Sequence, residues 1–178
     1  MARIPYADLS APDVATVVDR IVAERGSVLY LYRMLLHSPP VAEGWLGYLT
    51  AIRQRCTLSG ALRELVIMRV AHVNGASYEA DQHAPIALKE GLTAAQLAAI
   101  PEWASAKLFS DEERAVLALT DAMTRQVQVP AAIMAEVRAH LDDRKVVELV
   151  ATIAAYNMVS RFLEALGIHS DDRPDDTK

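Results

Sequence analysis

The fold of this chain is decided by residues 59–92, which read SGALRELVIMRVAHVNGASYEADQHAPIALKEGL. Ser59 is a suitable N-cap, and the mostly apolar run after it predicts a helix. Asn74-Gly75 then breaks this helix, because both residue types tolerate left-handed backbone angles. Ser77 can cap a second helix, which continues through Lys89. The stretch therefore predicts a helical hairpin.

Helical periodicity continues on both sides of the hairpin, and no clear strand pattern is present. Apolar residues at spacings of three and four, closed by Gly26, predict the first helix. Ser110-Asp111-Glu112-Glu113 resembles a capping box that opens a later one. The sequence therefore predicts an all-α fold. Outside the hairpin, the predicted helices span 11–25, 28–37 and 41–54, a short segment after Thr93, a segment after Ser110, about 130–142 and about 144–166.

Length and composition suit a globular protein. A chain of 178 residues fits one domain, or two small ones that share a core. Apolar residues make up 52% of it and charged residues 23%, which is enough to bury a sizeable core. We expect a single domain over residues 1–170. The acidic tail, residues 171–178, is predicted to be disordered because it has almost no apolar residues.

A weak internal repeat is possible. Glu64-Leu65-Val66 and Glu148-Leu149-Val150 each open an apolar helix after a short polar break, at a shift of 84 residues (148 minus 64). A two-fold repeat of helical hairpins would give this pattern. Coincidence between apolar helices explains it equally well.

Charge and hydropathy exclude several kinds of partner. The net charge is -5 and no cluster of Lys and Arg is present, which argues against nucleic acid. The first ten residues lack the apolar core of a signal peptide. The longest nearly apolar stretch, Val146 to Val159, is shorter than a membrane span requires. The single cysteine, Cys56, cannot form an intrachain disulfide, so we expect a cytoplasmic protein without a membrane partner.

Four side chains of the hairpin indicate acid–base chemistry. Glu64 and His72 lie on the first helix, and Glu79 and His83 are one i, i+4 step apart on the second. Packing of the two helices would bring Glu64 toward Glu79 and His83. Two carboxylates favour a protonated imidazole, which can deliver its proton to a developing carbanion or enolate.

Other interpretations of the same residues remain open. Glu79 and His83 can form an exposed helix pair worth roughly 0.5 kcal/mol. Glu64 beside Arg63 can lie on a solvated face, and His72 is best explained as a core or helix-end residue. The same four residue types also bind Zn, Fe or Mn, although no HExxH motif is present.

The hairpin and the last helix contain a set of residues typical of one superfamily. They are Arg63-Glu64-Leu65, Asn74, Tyr78-Glu79, His83 and Gly91-Leu92, followed by Ala155-Tyr156-Asn157 and Arg161. With these residues the chain resembles the carboxymuconolactone decarboxylase and alkylhydroperoxidase D-like (AhpD-like) superfamily, most clearly over residues 58–100 and less specifically through the last helix. The resemblance implies an all-α, AhpD-like helical bundle assembled as trimers or hexamers.

The chain departs from the peroxidase branch of this superfamily. Glu64 and His83 match its glutamate and histidine, but its two CxxC cysteines fall on Ala76 and Glu79. Neither residue can be oxidised to a sulfenate or a disulfide, and Cys56 lies outside the motif. The sequence therefore argues against a thiol peroxidase.

The decarboxylase branch is similar in retaining the glutamate and histidine without the cysteines. This resemblance implies a cofactor-independent carboxy-lyase, of the kind used in aromatic compound catabolism, that acts on a small carboxylated or lactone-type substrate. His83 would supply the proton, Glu64 would orient or charge the imidazole, and Glu79 could be a second acid or base. No metal or cofactor is expected. Candidate substrate-binding residues are Arg69, His72, Tyr156 and Arg161, with Arg63 as a further basic group.

Two alternatives to the lyase belong to other functional classes. One is a non-catalytic oligomeric scaffold, in which Glu64 and His83 form a buried structural ion pair. The other is a metal-dependent enzyme that uses the same Glu/His cluster. All three interpretations share a homo-oligomer, because the apolar stretches Val28 to Leu36 and Val146 to Val159 exceed what one monomer core needs.

Overall fold

A computed structural model of the chain describes residues 2–172, and this part is all-α, as the sequence predicts. Residues 2–172 contain no strand. The helices are α1 (Ala15–Arg25), α2 (Tyr30–Leu35), α3 (Pro39–Gln54), α4 (Gly60–Asn74), α5 (Ser77–Lys89), α6 (Ala94–Ala99), a 3₁₀ helix (Ile100–Glu102), α7 (Asp111–Arg125), α8 (Ala131–His140) and α9 (Asp143–Leu166).

The ends of the hairpin helices are largely those the sequence predicts. Ser59 caps α4 by accepting a hydrogen bond from the Leu62 backbone N–H. Gly75 ends α4 with a left-handed φ of 69°, which glycine adopts without steric cost. The predicted cap by Ser77 is wrong. The N-cap of α5 is Ala76, with φ −82° and ψ 80°, and no side chain caps the helix, because Ser77 is already its first helical residue.

Helix starts elsewhere differ from the sequence-based bounds for identifiable reasons. α3 begins at Pro39 rather than at Val41, so Pro39 and Pro40 form the first turn of this helix. Proline is tolerated there because an N–H at that position has no intrahelical acceptor. α1 begins at Ala15 rather than Ala11, after a turn in which the Val14 N–H donates to the Ala11 carbonyl.

The domain predicted for residues 1–170 divides into two compact units. The first comprises Met1–Arg55 and Leu163–Lys178, of which residues 2–55 and 163–172 are described. Within it, α1 and α2 both pack against α3. Asp172, in the tail predicted to be disordered, is buried and accepts a 2.6 Å hydrogen bond from the Tyr6 hydroxyl. The rest of that tail, 173–178, lies outside the described residues.

The second unit, Cys56–Phe162, is organised around α4. This helix packs against α5 on one side and against α7 on another, and α7 in turn packs against α8. Because neighbours surround it, α4 is buried over most of its surface rather than along one stripe. Its buried residues are Leu62, Glu64, Leu65, Val66, Ile67, Arg69, Val70 and Ala71. Two ionisable side chains, Glu64 and Arg69, therefore lie in the interior of the unit.

The last helix, α9, does not repeat the α4–α5 hairpin. The turn residues Asn74 and Gly75 correspond, at a shift of 84, to Met158 and Val159 (74 plus 84 and 75 plus 84), and α9 continues through both. Glu148 of α9, which corresponds to Glu64, accepts hydrogen bonds from the backbone N–H groups of Thr57 and Leu58. The described contacts of Glu64 are of a different kind, because its partners are side chains. The suggested two-fold repeat of hairpins is therefore absent at this shift.

α9 is longer than the apolar stretch visible in the sequence. It has 24 residues, and among the described helices it alone has the length and composition to cross a membrane. Half of its most apolar window is buried inside the protein, where Leu149, Ile153 and Tyr156 lie. These features are typical of a core helix.

Candidate active site

Glu64 and His83 meet in the interior of the second unit. Glu64 Oε2 lies 2.7 Å from His83 Nδ1, which joins α4 to α5 through a side-chain hydrogen bond. The pair is well shielded from solvent, with 0% of Glu64 and 8% of His83 exposed. The contact that the sequence predicts from the hairpin is therefore present.

Arg63 supplies a second donor to the same carboxylate. Its Nε donates to Glu64 Oε1 at 3.0 Å, and its Nη2 lies 3.3 Å from Glu90 Oε1. Burial by itself would raise the pKa of Glu64. The hydrogen bonds and charges of His83 and Arg63 outweigh burial and bring this pKa below its ordinary value. Glu64 is therefore an anion at neutral pH.

The ionised Glu64 also determines which nitrogen of His83 is available for chemistry. A carboxylate only accepts hydrogen bonds, so the proton between the two groups belongs to His83 Nδ1. Nε2 is then the nitrogen whose protonation can change. This arrangement, a carboxylate behind an imidazole, is the one that general acid–base catalysis uses to orient the ring and stabilise its charged form.

Tyr156 of α9 completes the surroundings of the imidazole. Its ring meets the His83 ring edge-to-face, with 5.1 Å between centroids and an interplanar angle of 88°. Tyr156 is 1% exposed, so the imidazole lies against a large buried side chain. The structure thus brings Tyr156, predicted as a substrate-binding residue, to the centre of the site.

Glu79 lies in the same unit, next to a residue that the sequence analysis missed. The Ser160 hydroxyl contacts Glu79 Oε2 and lies 2.9 Å from the carbonyl oxygen of Tyr156. Both side chains are buried. The sequence does contain a signal for Ser160. A serine in an apolar helix often forms a hydrogen bond through its hydroxyl to the backbone carbonyl four residues earlier, which here belongs to Tyr156.

The described partners of Arg69 are residues other than Glu64 and His83. Its Nε and Nη2 bind the Asp121 carboxylate of α7 at 2.5 and 2.7 Å, and its Nη1 donates to the carbonyls of Ile100 and Pro101. This bidentate geometry connects α4 to α7 and to the 3₁₀ helix. The described contacts of Arg69 are thus structural, unlike the substrate contact that the sequence suggested.

His72 and Arg161 make no described hydrogen bond with Glu64 or His83. His72 is exposed in the last turn of α4, where its carbonyl accepts the Gly75 N–H. Arg161 is exposed on α9, and its Nη1 donates to the backbone carbonyl and the side-chain Oδ1 of Asn157. His72 is therefore the helix-end histidine that the simpler interpretation expected.

A metal-dependent enzyme would need Glu64, His72, Glu79 and His83 to form a cluster of ligands, and they do not. Over residues 2–172, no group of three or more His, Cys, Asp and Glu side chains is arranged to bind a metal ion. His72 is exposed at the end of α4, whereas Glu64, Glu79 and His83 are buried. These four residues therefore do not form one set of metal ligands in the described part of the chain.

The fold agrees with the comparisons to known proteins. The chain belongs to the carboxymuconolactone decarboxylase family, whose sequence profile matches residues 39–122. It is 30% identical over 116 residues to the uncharacterised protein YdfG of Bacillus subtilis strain 168, a match that covers 64% of this chain and 79% of that protein.

Two solved structures show the same AhpD-like fold. The AhpD core of a peroxidase-related protein from Ralstonia eutropha JMP134 is 21% identical, with a TM-score of 0.77 over 98% of this chain and 93% of that one. The debrominase Bmp8 is 18% identical, with a TM-score of 0.77 over 92% of this chain and 88% of that one. At these identities the similarity defines the fold alone.

Proposed function

We propose that this chain is a cofactor-independent lyase of the carboxymuconolactone decarboxylase type, which acts on a small carboxylated or lactone-type substrate. The observation that carries the proposal is the buried 2.7 Å hydrogen bond between Glu64 and His83. This hydrogen bond fixes the tautomer of the imidazole and gives it an anionic partner. Proton delivery to carbon by general acid catalysis uses both features.

The proposed reaction uses this pair for one proton transfer. As the substrate loses CO2, the electrons of the broken carbon–carbon bond delocalise over the unsaturated lactone. The imidazolium form of His83 then donates its Nε2 proton to carbon, where a new C–H bond forms. Glu64 stabilises the imidazolium before the transfer and keeps the ring oriented throughout.

Thiol chemistry is a poor alternative for this chain. The positions of the two peroxidase cysteines hold Ala76 and Glu79, both of them buried. Burial raises the pKa of the Cys56 thiol, and the nearby Glu148 raises it further, so little nucleophilic thiolate forms. The proposal therefore assigns proton transfer, rather than peroxide reduction, to this member of the family.

Recognition of an anionic substrate is best assigned to Arg161. Arg63 already binds Glu64 and Glu90, and Arg69 already binds Asp121. Arg161 uses only Nη1 in its described hydrogen bonds and lies at the surface of α9, five residues after Tyr156. The guanidinium nitrogens that make no described hydrogen bond can bind a carboxylate.

The proposal also covers the oligomeric state of the protein and the cellular compartment in which it works. We propose a homo-oligomer, a trimer or hexamer by resemblance to the superfamily, that works in the cytoplasm on a small molecule without nucleic acid or membrane. Val147 and Met158 support the assembly, because both are exposed apolar side chains on α9. The single cysteine supports the reducing compartment.

A non-catalytic scaffold is the second candidate, and one observation favours it. Glu64 is 0% exposed and His83 only 8%, as expected of a structural ion pair in a protein interior. On this interpretation, replacement of His83 lowers stability and changes no reaction.

A turnover assay in D2O tests the lyase. The purified protein is incubated with a carboxymuconolactone, and the assay measures CO2 release and deuterium incorporation at carbon. His83→Ala should reduce turnover by about 10²–10⁴-fold, the usual contribution of general acid catalysis. His140→Ala is the matched control, because His140 is an exposed histidine at the end of α8 and should leave turnover unchanged. Full turnover by a folded His83→Ala protein would refute the proposal, and no turnover in the wild type would favour the scaffold.

A further inference from the structure

The Arg63 guanidinium lies between two carboxylates of the hairpin. Its Nε donates to Glu64 Oε1 at 3.0 Å, and its Nη2 lies 3.3 Å from Glu90 Oε1. The side chains of Glu64, Arg63 and Glu90 are 0%, 12% and 37% exposed, in that order. Together with the hydrogen bond between Glu64 and His83, these contacts connect the buried imidazole to an exposed residue at the end of α5.

Helix geometry explains why Glu90 lies at the end of this series of contacts. Glu90 is the C-cap of α5 and keeps right-handed helical backbone angles. It is seven residues after His83, which places the two within about 20° of each other around the helix. On α4, Gly60 and Glu64 are four residues apart and also share a face. The two faces meet, because Glu64 binds His83 and Glu90 lies against Gly60.

Gly60 leaves room for the Glu90 carboxylate. A Cβ atom built on Gly60 would overlap Glu90 Oε2 and would lie 2.5 Å from Glu90 Cδ, which is closer than Cβ atoms approach other atoms in proteins. Any other residue at position 60 would therefore displace the carboxylate. Gly60 is also the first residue of α4, where the positive end of the helix dipole favours a nearby anion. The observed position of the Glu90 carboxylate thus depends on a glycine at position 60.

The contact between Arg63 and Glu64 is one that a second anchor would strengthen. Adjacent residues of a helix point about 100° apart and do not face each other. The Arg63 side chain must therefore turn toward Glu64 to donate from Nε, and holding a long side chain in one conformation costs entropy. Glu90 offsets part of this cost, because it binds Nη2 of the same planar group and so restricts where Nε points.

We propose that Glu90 is a positioning residue of the candidate site, which keeps Arg63 bound to Glu64, and that Gly60 is required for this arrangement. The chemical consequence rests on the proposed lyase function. The Glu64 anion stabilises the imidazolium form of His83, and the charge of Arg63 opposes that effect. A fixed Arg63 therefore makes the imidazolium a stronger acid toward carbon.

Carbon NMR of the full chain, labelled with ¹³C at the glutamate carboxyl carbons, tests the proposal without substrate. The Glu64 resonance is identified by its loss in Glu64→Gln. In the wild type, burial of Glu64 is outweighed by the hydrogen bonds and charges of His83 and Arg63, so the pKa of Glu64 lies below its ordinary value. Gly60→Ala displaces the Glu90 carboxylate without changing any charge. Arg63 should then leave Glu64, and the pKa of Glu64 should rise. An unchanged or lower pKa in the folded variant would overturn the proposal.

Two comparisons separate the displacement of Glu90 from other effects of the added methyl group. Gly47→Ala is the matched control, because Gly47 is an exposed glycine of α3 whose added Cβ meets no described atom within 4 Å. It should leave the pKa of Glu64 unchanged. In a Glu90→Ala background, Gly60→Ala has no carboxylate to displace and should cause no further shift. An equal shift with and without the Glu90 side chain would mean that Gly60 acts through the backbone, and the proposal would fail.

Glu90→Asp decides the matter if Gly60→Ala does not fold. This variant keeps the charge but shortens the side chain by one methylene group, which withdraws the carboxylate from Arg63. The pKa of Glu64 should rise here too, and the absence of a rise would overturn the proposal.

The pH profile of the lyase gives a readout that a purely structural role of Glu90 would not change. Turnover requires protonated His83, so it falls as the pH rises through the pKa of this residue. Loss of the Arg63 charge raises that pKa, and the falling limb should move to higher pH in Gly60→Ala but not in Gly47→Ala. The other titratable groups around the imidazole are Glu64 of α4, Glu79 of α5 and Tyr156 of α9, and they are the same in both variants.

The two readouts can fail separately. A shifted pKa of Glu64 in a protein without turnover would refute the proposed function alone. Normal turnover in Gly60→Ala, with the pH profile and the pKa of Glu64 both unshifted, would refute the positioning role of Glu90 alone.

Discussion

Glu64 of α4 and His83 of α5 are 19 residues apart in the sequence and are joined by a 2.7 Å hydrogen bond. This contact connects the two halves of the hairpin through a group with no solvent exposure. Arg63 donates to the other oxygen of the same carboxylate, so the anion has partners on both sides. The stability of the second unit should therefore depend on the ionisation of Glu64.

Acid should weaken the protein through Glu64. The pKa of this residue in the folded chain lies below the ordinary 4.5, so its stabilising contribution is complete above pH 4.5 and is lost as the pH falls through the folded-state pKa. Glu64→Gln cannot titrate. We expect the variant to lower the free energy of unfolding by about 1.5–3 kcal/mol at pH 7, the usual value of hydrogen bonds to a charged group. Urea unfolding at a series of pH values should show this gap closing in acid.

Glu136→Gln is the control for this experiment, because Glu136 is an exposed glutamate of α8. Its unfolding free energy should follow that of the wild type at every pH. A gap between wild type and Glu64→Gln that stays constant from neutral pH to acid would mean that Glu64 is not the titrating group.

Arg63 should contribute more to stability than an exposed arginine does. The Arg63 side chain is 12% exposed and binds both Glu64 and Glu90, whereas Arg138 pairs with Asp143 at the surface. Arg63→Met leaves Glu64 buried with one partner fewer, so we expect a loss of about 1–3 kcal/mol. Arg138→Met should cost at most about 1 kcal/mol. Thermal or urea unfolding of the two variants compares them directly, and equal losses would contradict the buried arrangement.

The fold was largely predictable because local chemistry marks the helix ends. Ser59 and Ser110 accept hydrogen bonds from the backbone N–H groups of their own first turns, and Gly75 takes the left-handed conformation that stops α4. Each of these features involves residues within three or four positions of one another, so it can be recognised from the sequence. Packing is different. The helix predicted at about 144–166 is observed as Asp143–Leu166, whereas nothing local shows which neighbours cover it.

The candidate site was predictable only in part, for the same reason. Glu64 and His83 lie on adjacent helices joined by a short break, so their contact follows from the hairpin. Ser160 is 81 residues from Glu79 in the sequence, and its contact depends on how α9 lies against α5. Arg69 shows the same dependence on packing. Its position on α4 suggested a substrate contact, but a carboxylate on α7 that is 52 residues away binds it.

The exposed apolar face of α9 should form an interface between subunits. Val147 and Met158 are 11 residues apart, which places them about 20° apart around the helix, and both are exposed. We expect Val147→Asp to lower the molar mass measured by light scattering at micromolar concentration, because a charge would be buried in the interface. Val127→Asp is the control, since Val127 is a fully exposed valine between α7 and α8 and should leave the mass unchanged. A wild-type monomer would contradict the proposed assembly.

Arg69 and Asp121 should behave as a coupled structural pair. The guanidinium is almost fully buried and binds the carboxylate through two nitrogens, at 2.5 and 2.7 Å. Asp121→Asn leaves the buried Arg69 without its counter-charge, so we expect it to cost about 3–5 kcal/mol, whereas Arg69→Met leaves an Asp121 side chain that is 24% exposed and should cost less. The double variant should cost less than the sum of the single variants by about 0.5–3 kcal/mol, because the second substitution removes a charge that the first had left unpaired.

Urea unfolding of the three variants and the wild type measures this coupling, and the lyase assay adds an independent readout. A structural role predicts a large loss of stability with KM unchanged in whatever fraction of the protein remains folded. A substrate-binding role predicts the reverse, in which Arg69→Met raises KM and hardly affects unfolding. Additive losses of unfolding free energy in the double variant, or a raised KM with wild-type stability, would indicate that Arg69 binds substrate. The bidentate contact with Asp121 makes the structural outcome the expected one, because a guanidinium held by two parallel hydrogen bonds cannot turn toward a ligand without breaking both.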